Sequence, residues 1–184
     1  MSETVRRDGS TVVSDDEVSA RAVGTRLASI YEAIAERSMR GLPVFNTKLR
    51  VEAIGFTASS GRAVGILVTP WFMNLVVAAL PGGSLSPRPA GASIDHDLPG
   101  GVFPCVVGAV DGFGRLDSAS LFSPMFEFDD PDVAAAVAEA AIAEILTPVE
   151  ADPPVAAAAD PTPTLDRRAL LFGRRSSAED RSCR

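Results

Sequence analysis

The sequence predicts an α+β fold: an antiparallel sheet of about five strands, flanked by an N-terminal and a C-terminal helix, with disordered tails. Three observations lead to this prediction. Apolar residues recur at helical spacing near both ends of the apolar region, strand-like apolar runs occupy its middle, and short turns separate most of those runs. Strands joined by short turns pair antiparallel, and a helix at each end can cover one face of the resulting sheet.

The first helix is predicted from about residue 14 to residue 40. Ser14 and Glu17 form the pattern of a capping box, in which each side chain bonds a free backbone N–H of the first turn. Four apolar residues then recur at spacings of four, three and four and make one stripe: Val23, Leu27, Ile30 and Ile34. Gly41 and Pro43 end the helix.

Five runs in the middle of the chain have the pattern of strands. The first, residues 49–53, alternates apolar and polar side chains, and its phase slips at Ile54 and Phe56, which predicts a bulge or a strand end. The other four runs cover residues 64–69, 72–79, 102–110 and 115–122. Residues 111–114 contain Asp-Gly and predict a hairpin turn, whereas residues 81–99 are rich in Gly, Pro and Ser and predict a long loop.

The second helix is predicted to begin at the run Asp129-Asp130-Pro131-Asp132. An acidic residue can cap it, proline fits its first turn, and carboxylates near the N-terminus complement the helix dipole. Pro148 ends it. The predicted apolar face contains Val133, Val137, Ala140, Ala141 and Ile145.

One domain, residues 14–147, is predicted between unstructured segments. Residues 1–13 are polar and predict a disordered N-terminus, residues 148–164 predict a Pro/Ala-rich linker, and residues 165–184 are a basic tail. The tail contains six arginines and three acidic residues, whereas the rest of the chain has 11 basic and 21 acidic residues. The formal net charge of −7 argues against nucleic-acid binding.

The compartment predicted for the chain is the cytoplasm. The polar start lacks the apolar segment of an export signal, and two cysteines, Cys105 and Cys183, are too few for a disulfide framework. Residues 63–80 approach the length of a membrane span, but Pro70 interrupts them and their β-branched residues favour strands. Two buried strands are therefore predicted there.

The sequence offers little catalytic chemistry. The lone histidine, His96, lies between Asp95 and Asp97, but three consecutive residues rarely bind one metal ion, so we predict a solvated loop. Cys105 lies in an apolar run and is predicted to be a buried, unreactive thiol. The glycines of residues 108–114 lack the phosphate-loop pattern. No catalytic residue, metal site or cofactor is predicted.

Two apolar patches are the candidate binding residues. The first is Trp71, Phe72 and Met73, and it contains the only tryptophan. The second contains Phe122, Met125 and Phe126 and precedes a run of carboxylates: Glu127, Asp129, Asp130 and Asp132. Both patches are compatible with the protein core, because large apolar residues are usually buried. The alternative is an apolar groove for a partner segment, with an acidic rim suited to paired arginines.

The basic tail carries the complementary chemistry. Arg167 and Arg168, followed by alanine and two leucines, have the outline of a twin-arginine export motif at the wrong end of the chain. Such a tail is either a generic charged segment or a mimic that occupies the groove until a client displaces it.

Four segments resemble the HybE/HupJ family of [NiFe]-hydrogenase assembly chaperones. They are Arg37-Ser38-Met39 with Gly41-Leu42-Pro43, the run of residues 68–75 around Pro70-Trp71-Phe72-Met73, the run Ser120-Leu121-Phe122-Ser123-Pro124-Met125-Phe126-Glu127-Phe128, and the arginine-rich tail. The resemblance implies a cytoplasmic, non-enzymatic factor that holds the hydrogenase small subunit, with its twin-arginine signal peptide, until export. Some relatives carry a fused rubredoxin, whose paired Cys-x-x-Cys motifs this chain lacks. Ala119 stands where members often have cysteine.

Two other classes remain open at this point. A scaffold would bridge the hydrogenase large subunit and other maturation proteins, and would bind the large subunit regardless of any signal sequence. A cluster-handling protein or enzyme would use Cys105 or His96 and would purify with iron or zinc.

Overall fold

The structure, a computed structural model, describes residues 14–149 and contains two helices and six strands there. In chain order they are α1 (Asp15–Ile34), β1 (Glu52–Ser59), β2 (Arg62–Val68), β3 (Met73–Ala79), β4 (Ser93–Leu98), β5 (Gly101–Val110), β6 (Gly114–Phe122) and α2 (Pro131–Leu146). The predicted α+β class is confirmed. The segments predicted as tails, residues 1–13 and those from residue 150 onward, lie outside the described residues.

All neighbouring strands pair antiparallel, in the order β1-β2-β3-β6-β5-β4. The sheet therefore has six strands where the sequence predicted about five. The additional strand is β4, which lies within the predicted loop of residues 81–99 and pairs with β5 from Ser93↔Val106 to Leu98↔Gly101. No helix of the described part is both long and apolar enough to cross a membrane.

The two helices lie on opposite faces of the sheet, whereas the sequence predicted that they would share one face. α1 packs on β1 and β2 around Leu27, Phe56 and Leu67. α2 packs on the same two strands from the other side, where Ile66 and Ile142 belong to a second apolar cluster. The central strands explain the arrangement, because β2 is buried on both faces and each face must be covered.

α1 begins as predicted but uses its capping residues differently. The Ser14 hydroxyl accepts the Glu17 N–H at 3.2 Å. The Glu17 carboxylate, instead of bonding back to Ser14, accepts the Thr57 hydroxyl at 2.6 Å and the Ala58 N–H at 3.0 Å. Glu17 thus ties the first turn of α1 to β1, an edge strand. One π-helical turn, Ala35–Met39, extends α1 to the predicted helix end.

α2 begins as predicted, but its buried face differs from the predicted one. The Asp130 side chain accepts the Asp132 N–H and Pro131 occupies the first turn. The buried residues are Ala134, Ala138, Ile142 and Ile145. Val133, predicted to be buried, is 53% exposed, and Ala140 is exposed as well.

The predicted bulge in β1 is confirmed at Gly55. The β1–β2 register shifts between Ile54 and Thr57, and Gly55 has φ +61°. A Cβ atom at Gly55 would lie 2.6 Å from the Ile142 side chain, so the glycine lets α2 approach β1 closely.

The sheet is strongly curved, with its concave face on the α2 side. The curvature is evident from a cluster of charged and polar side chains that links distant strands across this face. Arg62 on β2 contacts His96 on β4, Nη1 to Nδ1 at 2.7 Å, although three strands separate them in the sheet order. In a flat sheet the two strands would be about 19 Å apart. His96 Nε2 lies 2.9 Å from Asp117 Oδ2, and the Arg115 guanidinium donates two bonds of 2.9 Å to the same carboxylate.

His96 is therefore not the solvated loop residue that the sequence predicted. It is 4% exposed and occupies β4, while Asp117 is fully buried. Strand alternation places Asp95 and Asp97 on the opposite face from His96, so a charged neighbour in sequence is not a neighbour in space. Arg62 donates to Nδ1, which leaves the proton on Nε2 for the bond to Asp117.

Candidate partner-binding site

One residue, Asn46, joins the three loops that carry the candidate binding residues. Its side-chain amide donates to the Met125 carbonyl at 2.9 Å and to the Phe128 carbonyl at 2.7 Å. Its backbone N–H donates to the Pro70 carbonyl at 2.8 Å. The segment after α1, the β2–β3 turn and the β6–α2 loop are thus held together at one end of the sheet. We refer to this end as the loop end.

The β2–β3 turn presents Trp71 and Phe72 on the α1 side of the loop end. The Thr69 hydroxyl accepts the Phe72 N–H at 2.9 Å and the Trp71 N–H at 3.3 Å, so the turn is fixed by its own first residue. Both rings are partly buried. Trp71 stacks on Phe45 with ring centroids 6.1 Å apart, and Tyr31 meets Phe72 edge to face at 5.5 Å.

The two methionines predicted as binding residues belong to the core. Met73 and Met125 are fully buried, on the α2 side of the sheet. Phe122 and Phe128 pack beside them, with rings edge to face at 5.2 Å. A fully buried side chain offers no area to a partner, so these methionines support the surface from beneath.

Phe126 is the apolar side chain of the predicted set that faces outward. It is 57% exposed, although the residues on either side of it in the loop are anchored through Met125 and Phe128. Leu42 and Val44, in the segment that Asn46 attaches to this loop, are also exposed. The hydrogen bonds therefore fix a loop that carries exposed apolar side chains.

The predicted acidic rim is exposed but largely engaged with other groups. Lys48 Nζ lies 2.6 Å from Asp129 Oδ1, and Arg50 lies 3.2 Å from Asp132. Asp130 caps α2. All of these side chains face solvent, where such pairs contribute little to stability and exchange readily. Glu127 is also exposed.

The loop end thus brings together both predicted patches, but as one surface divided between the two sheet faces rather than as one groove. Sequence reasoning missed Asn46, Lys48 and Arg50, because a single amide or cation in an irregular segment has no periodic signature. The predicted regulatory residues Arg167 and Arg168 lie outside the described residues.

Metal and thiol chemistry find little support in the part of the chain that the structure describes. Between residues 14 and 149, no group of three or more His, Cys, Asp and Glu side chains is placed to hold an ion. Cys105 is buried, as predicted. Burial, with smaller contributions from Asp117 and Asp95, raises the pKa of its thiol to about 11, which disfavours the reactive thiolate.

Comparison with known proteins gives one consistent result. The family model described as "[NiFe]-hydrogenase assembly, chaperone, HybE" matches residues 22–173. The hydrogenase expression/formation protein HupJ of Bradyrhizobium diazoefficiens is 44% identical, with 85% of this chain and 91% of that protein covered. The protein HoxT of Cupriavidus necator is 36% identical, with 81% and 87% covered.

A solved structure shares the fold. The solution structure of HybE from Escherichia coli matches with a TM-score of 0.56 and 31% identity, and the match covers 84% of this chain and 91% of that one. Residues 22–173, which the family model matches, include every residue of the loop end described above. The chain therefore belongs to the HybE family of [NiFe]-hydrogenase assembly chaperones.

Proposed function

We propose that this protein is a non-enzymatic cytoplasmic chaperone that holds the small subunit of a [NiFe]-hydrogenase through its twin-arginine signal peptide. The observation that carries the proposal is the Asn46 junction. Three hydrogen bonds, two from its side-chain amide and one from its backbone N–H, join the Trp71 turn and the Phe126 loop into one surface. Within a family of assembly chaperones, a surface built in this way is best explained by binding of a client chain.

Phe126 is the proposed apolar contact of the loop end. Because the hydrogen bonds of Asn46 to Met125 and Phe128 order the loop before binding, a client would not have to supply that ordering energy. Trp71 and Phe72 would add aromatic area at the edge of the same surface, since both remain partly exposed.

The exposed carboxylates suit a cationic client segment, though less directly than the sequence suggested. A client arginine could replace Lys48 at Asp129 or Arg50 at Asp132 and form a two-point contact with the carboxylate. Such an exchange replaces one exposed ion pair with another, so it would contribute selectivity for arginine rather than large affinity.

Calorimetric titration of the full chain with the small-subunit signal peptide tests the proposal. We expect binding that weakens at least about tenfold when both arginines of the peptide are replaced by lysine, because lysine cannot form the two-point contact. Absence of heat with either peptide would refute signal-peptide recognition. Binding to the large subunit that ignores the signal sequence would instead favour the scaffold function.

A surface variant locates the contact. Phe126→Ser should weaken peptide binding by about tenfold, because Phe126 contributes exposed apolar area at the loop end. Val18→Ser is the matched control, since Val18 is 56% exposed on the first turn of α1, at the opposite end of the sheet. Equal binding by both variants would remove Phe126 from the site.

The basic tail is proposed to act as a competitor of the client. In the full chain, Arg167→Gln with Arg168→Gln should tighten binding of the signal peptide if the tail competes for the same surface. Arg174→Gln with Arg175→Gln removes the same charge from the same tail and serves as the control. Unchanged or weaker binding in the first variant would count against competition.

A further inference from the structure

On the α1 side of the sheet, β4 and most of β5 are exposed among the described residues, and the exposed side chains form an ordered pattern. α1 packs on β1 and β2, and the apolar cluster beneath it contains no residue of β4. On β5, Val102, Pro104 and Val106 all face this side, because alternate residues of a strand share a face. Val102 is 60% exposed and Val106 is 52% exposed, which is unusual for β-branched residues in an inner strand.

The register confirms which face these valines occupy. Val106 pairs with Ser118 on β6, and Ser118 pairs with Val76 on β3, which is part of the apolar cluster under α1. Directly opposed residues of paired strands share a face. The row of Val102, Pro104 and Val106 therefore continues the α1 face past the edge of the helix.

An acidic row runs beside the apolar one. Asp97 pairs with Val102, and Asp95 pairs with Pro104, so both carboxylates project from β4 onto the same face. Their Cα atoms are separated by two strand residues, about 7 Å. Both are exposed, and among residues 14–149 neither carboxylate has an ion-pair partner.

We propose that this surface, Val102, Pro104 and Val106 with Asp95 and Asp97, binds the segment of the client in which two arginines precede apolar residues. The inference rests on the proposed function, because it takes the twin-arginine segment as the occupant. The charges are complementary, and the apolar row offers contact to the residues that follow the arginines. It also moves the cationic contact from the predicted rim, where Asp129 and Asp132 are already paired, to two carboxylates that have no ion-pair partner among residues 14–149.

The surface is continuous with the loop end. β5 begins at Gly101 and β6 ends at Phe122, and Phe122 pairs with Met73 directly after the Trp71 turn. Val102 therefore lies at the end of β5 that adjoins the loop end, while the curl brings Asp97 beside Arg62, at the end of β2 away from Trp71. One extended client segment can contact the loop end and the β4–β5 face together, with its arginines on β4.

The test uses the full chain, the small-subunit signal peptide and its twin-lysine version. The double variant Asp95→Asn with Asp97→Asn should bind the signal peptide about tenfold more weakly. It should also largely lose the preference for the arginine peptide over the lysine peptide. The double variant Val102→Thr with Val106→Thr keeps β-branched side chains and should bind both peptides more weakly, by a similar factor. Asp111→Asn with Glu139→Gln is the control, since it removes two exposed acidic charges elsewhere and should change affinity less than twofold.

Each result has a distinct meaning. If both double variants bind the peptide as tightly as the wild type does, the client does not bind the β4–β5 surface, while the proposed function remains intact. Failure of the wild type to bind either peptide would overturn both. If sedimentation shows that the valine variant dissociates a dimer while its peptide affinity is unchanged, the face joins two copies of the chain and the proposal is wrong.

Discussion

The side chain on which the loop end most depends is an asparagine in an irregular segment. Asn46 donates to two carbonyls of the β6–α2 loop and its own Oδ1 accepts the Lys48 N–H at 3.1 Å. Both N–H groups of the amide are thus in use, and its oxygen accepts one of the two hydrogen bonds that it can accept. An amide is the side chain that can donate twice and accept at the same position without carrying charge.

Replacing Asn46 with alanine should cost about 1–3 kcal/mol of unfolding free energy, because the Met125 and Phe128 carbonyls lose their donor in a partly buried site. Urea unfolding measures it. Signal-peptide affinity should also fall, since the Phe126 loop loses its tie to the Trp71 turn. Thr47→Ala, at the exposed neighbouring position, should change neither quantity. If Asn46→Ala has wild-type stability and wild-type peptide affinity, Asn46 does not hold the loop end together.

Glu17 gives a prediction of pH dependence. Hydrogen bonds from the Thr57 hydroxyl and then from the Ala58 N–H lower the pKa of this carboxyl. A carboxyl whose pKa is lower in the folded state adds stability above its unfolded pKa, and that stability disappears as the pH falls through the folded pKa. Wild type should therefore exceed Glu17→Gln in stability at pH 7, and the difference should vanish at acidic pH below the normal glutamate range.

Chemical unfolding of both proteins from pH 7 down to pH 3 tests the Glu17 prediction. Glu32→Gln, at an exposed position of the same helix, removes the same charge and is the matched control. A stability gap between wild type and Glu17→Gln that stays constant across this range would show that Glu17 acts by packing rather than by charge.

At the scale of elements, two glycines that face the Phe56 ring, Gly24 on α1 and Gly65 on β2, allow α1 to pack closely on the sheet. We refer to the space between them as the glycine slot. A Cβ atom at Gly24 would lie 2.6 Å from the Phe56 ring, and one at Gly65 would lie 2.4 Å from it. Both distances are far below normal contact, so any side chain would displace the ring. Phe56 is 6% exposed and follows the β1 bulge, which turns it toward α1.

Gly65→Ala should destabilise the protein by about 1–3 kcal/mol through overpacking against Phe56. Gly108→Ala on β5 is the control, because its nearest neighbour would be 3.5 Å from the new Cβ atom, an ordinary contact. Thermal unfolding compares the two. Comparable melting temperatures would show that the Phe56 ring moves aside without cost, and a rescue of Gly65→Ala by Phe56→Leu would support the slot.

The elements differ in how far the sequence could predict them. β2 and β3 were predicted to within two residues at each end, and α1 with its π-helical turn to within one, because long apolar patterns and their Gly and Pro boundaries leave few alternatives. β4 was missed because Asp95, His96 and Asp97 look solvated until the neighbouring strand is known. The apolar face of α2 was misplaced because its alanines and valines surround the helix, so periodicity alone could not select the buried side.

At the scale of the whole molecule, the curl of the sheet explains both the buried charge and the free face. The sequence identified the motifs of the candidate site but could not show that they divide between two faces, since that depends on where the helices pack. Because the sheet curls toward α2, β4 approaches β2, and His96 on the inner face of β4 meets Arg62 of β2. The outer face of β4 and β5 then stays uncovered by α1.

Asp117 should be the residue that holds this curl closed. It is fully buried and accepts bonds from Arg115 and His96, while Arg62 contacts His96 and donates to the Asp97 carbonyl at 3.0 Å. Removing one partner of a buried ionic cluster costs about 3–5 kcal/mol, because the opposite charge is left without compensation. We expect a loss of that size in Asp117→Asn, with Asp111→Asn in the exposed hairpin as the control.

Amide hydrogen exchange shows whether Asp117 specifically holds the curled sheet closed or stabilises the whole fold. If Asp117 closes the curl, Asp117→Asn should lose protection first in β4, an edge strand whose single strand partner is β5 and whose His96 belongs to the ionic cluster. β1, the other edge strand, is covered by both helices and should lose less. Because the proposed client surface includes β4, signal-peptide affinity should fall together with β4 protection. Equal loss of protection in β1 and β4 would show that Asp117 stabilises the fold as a whole and that the curl closes without it.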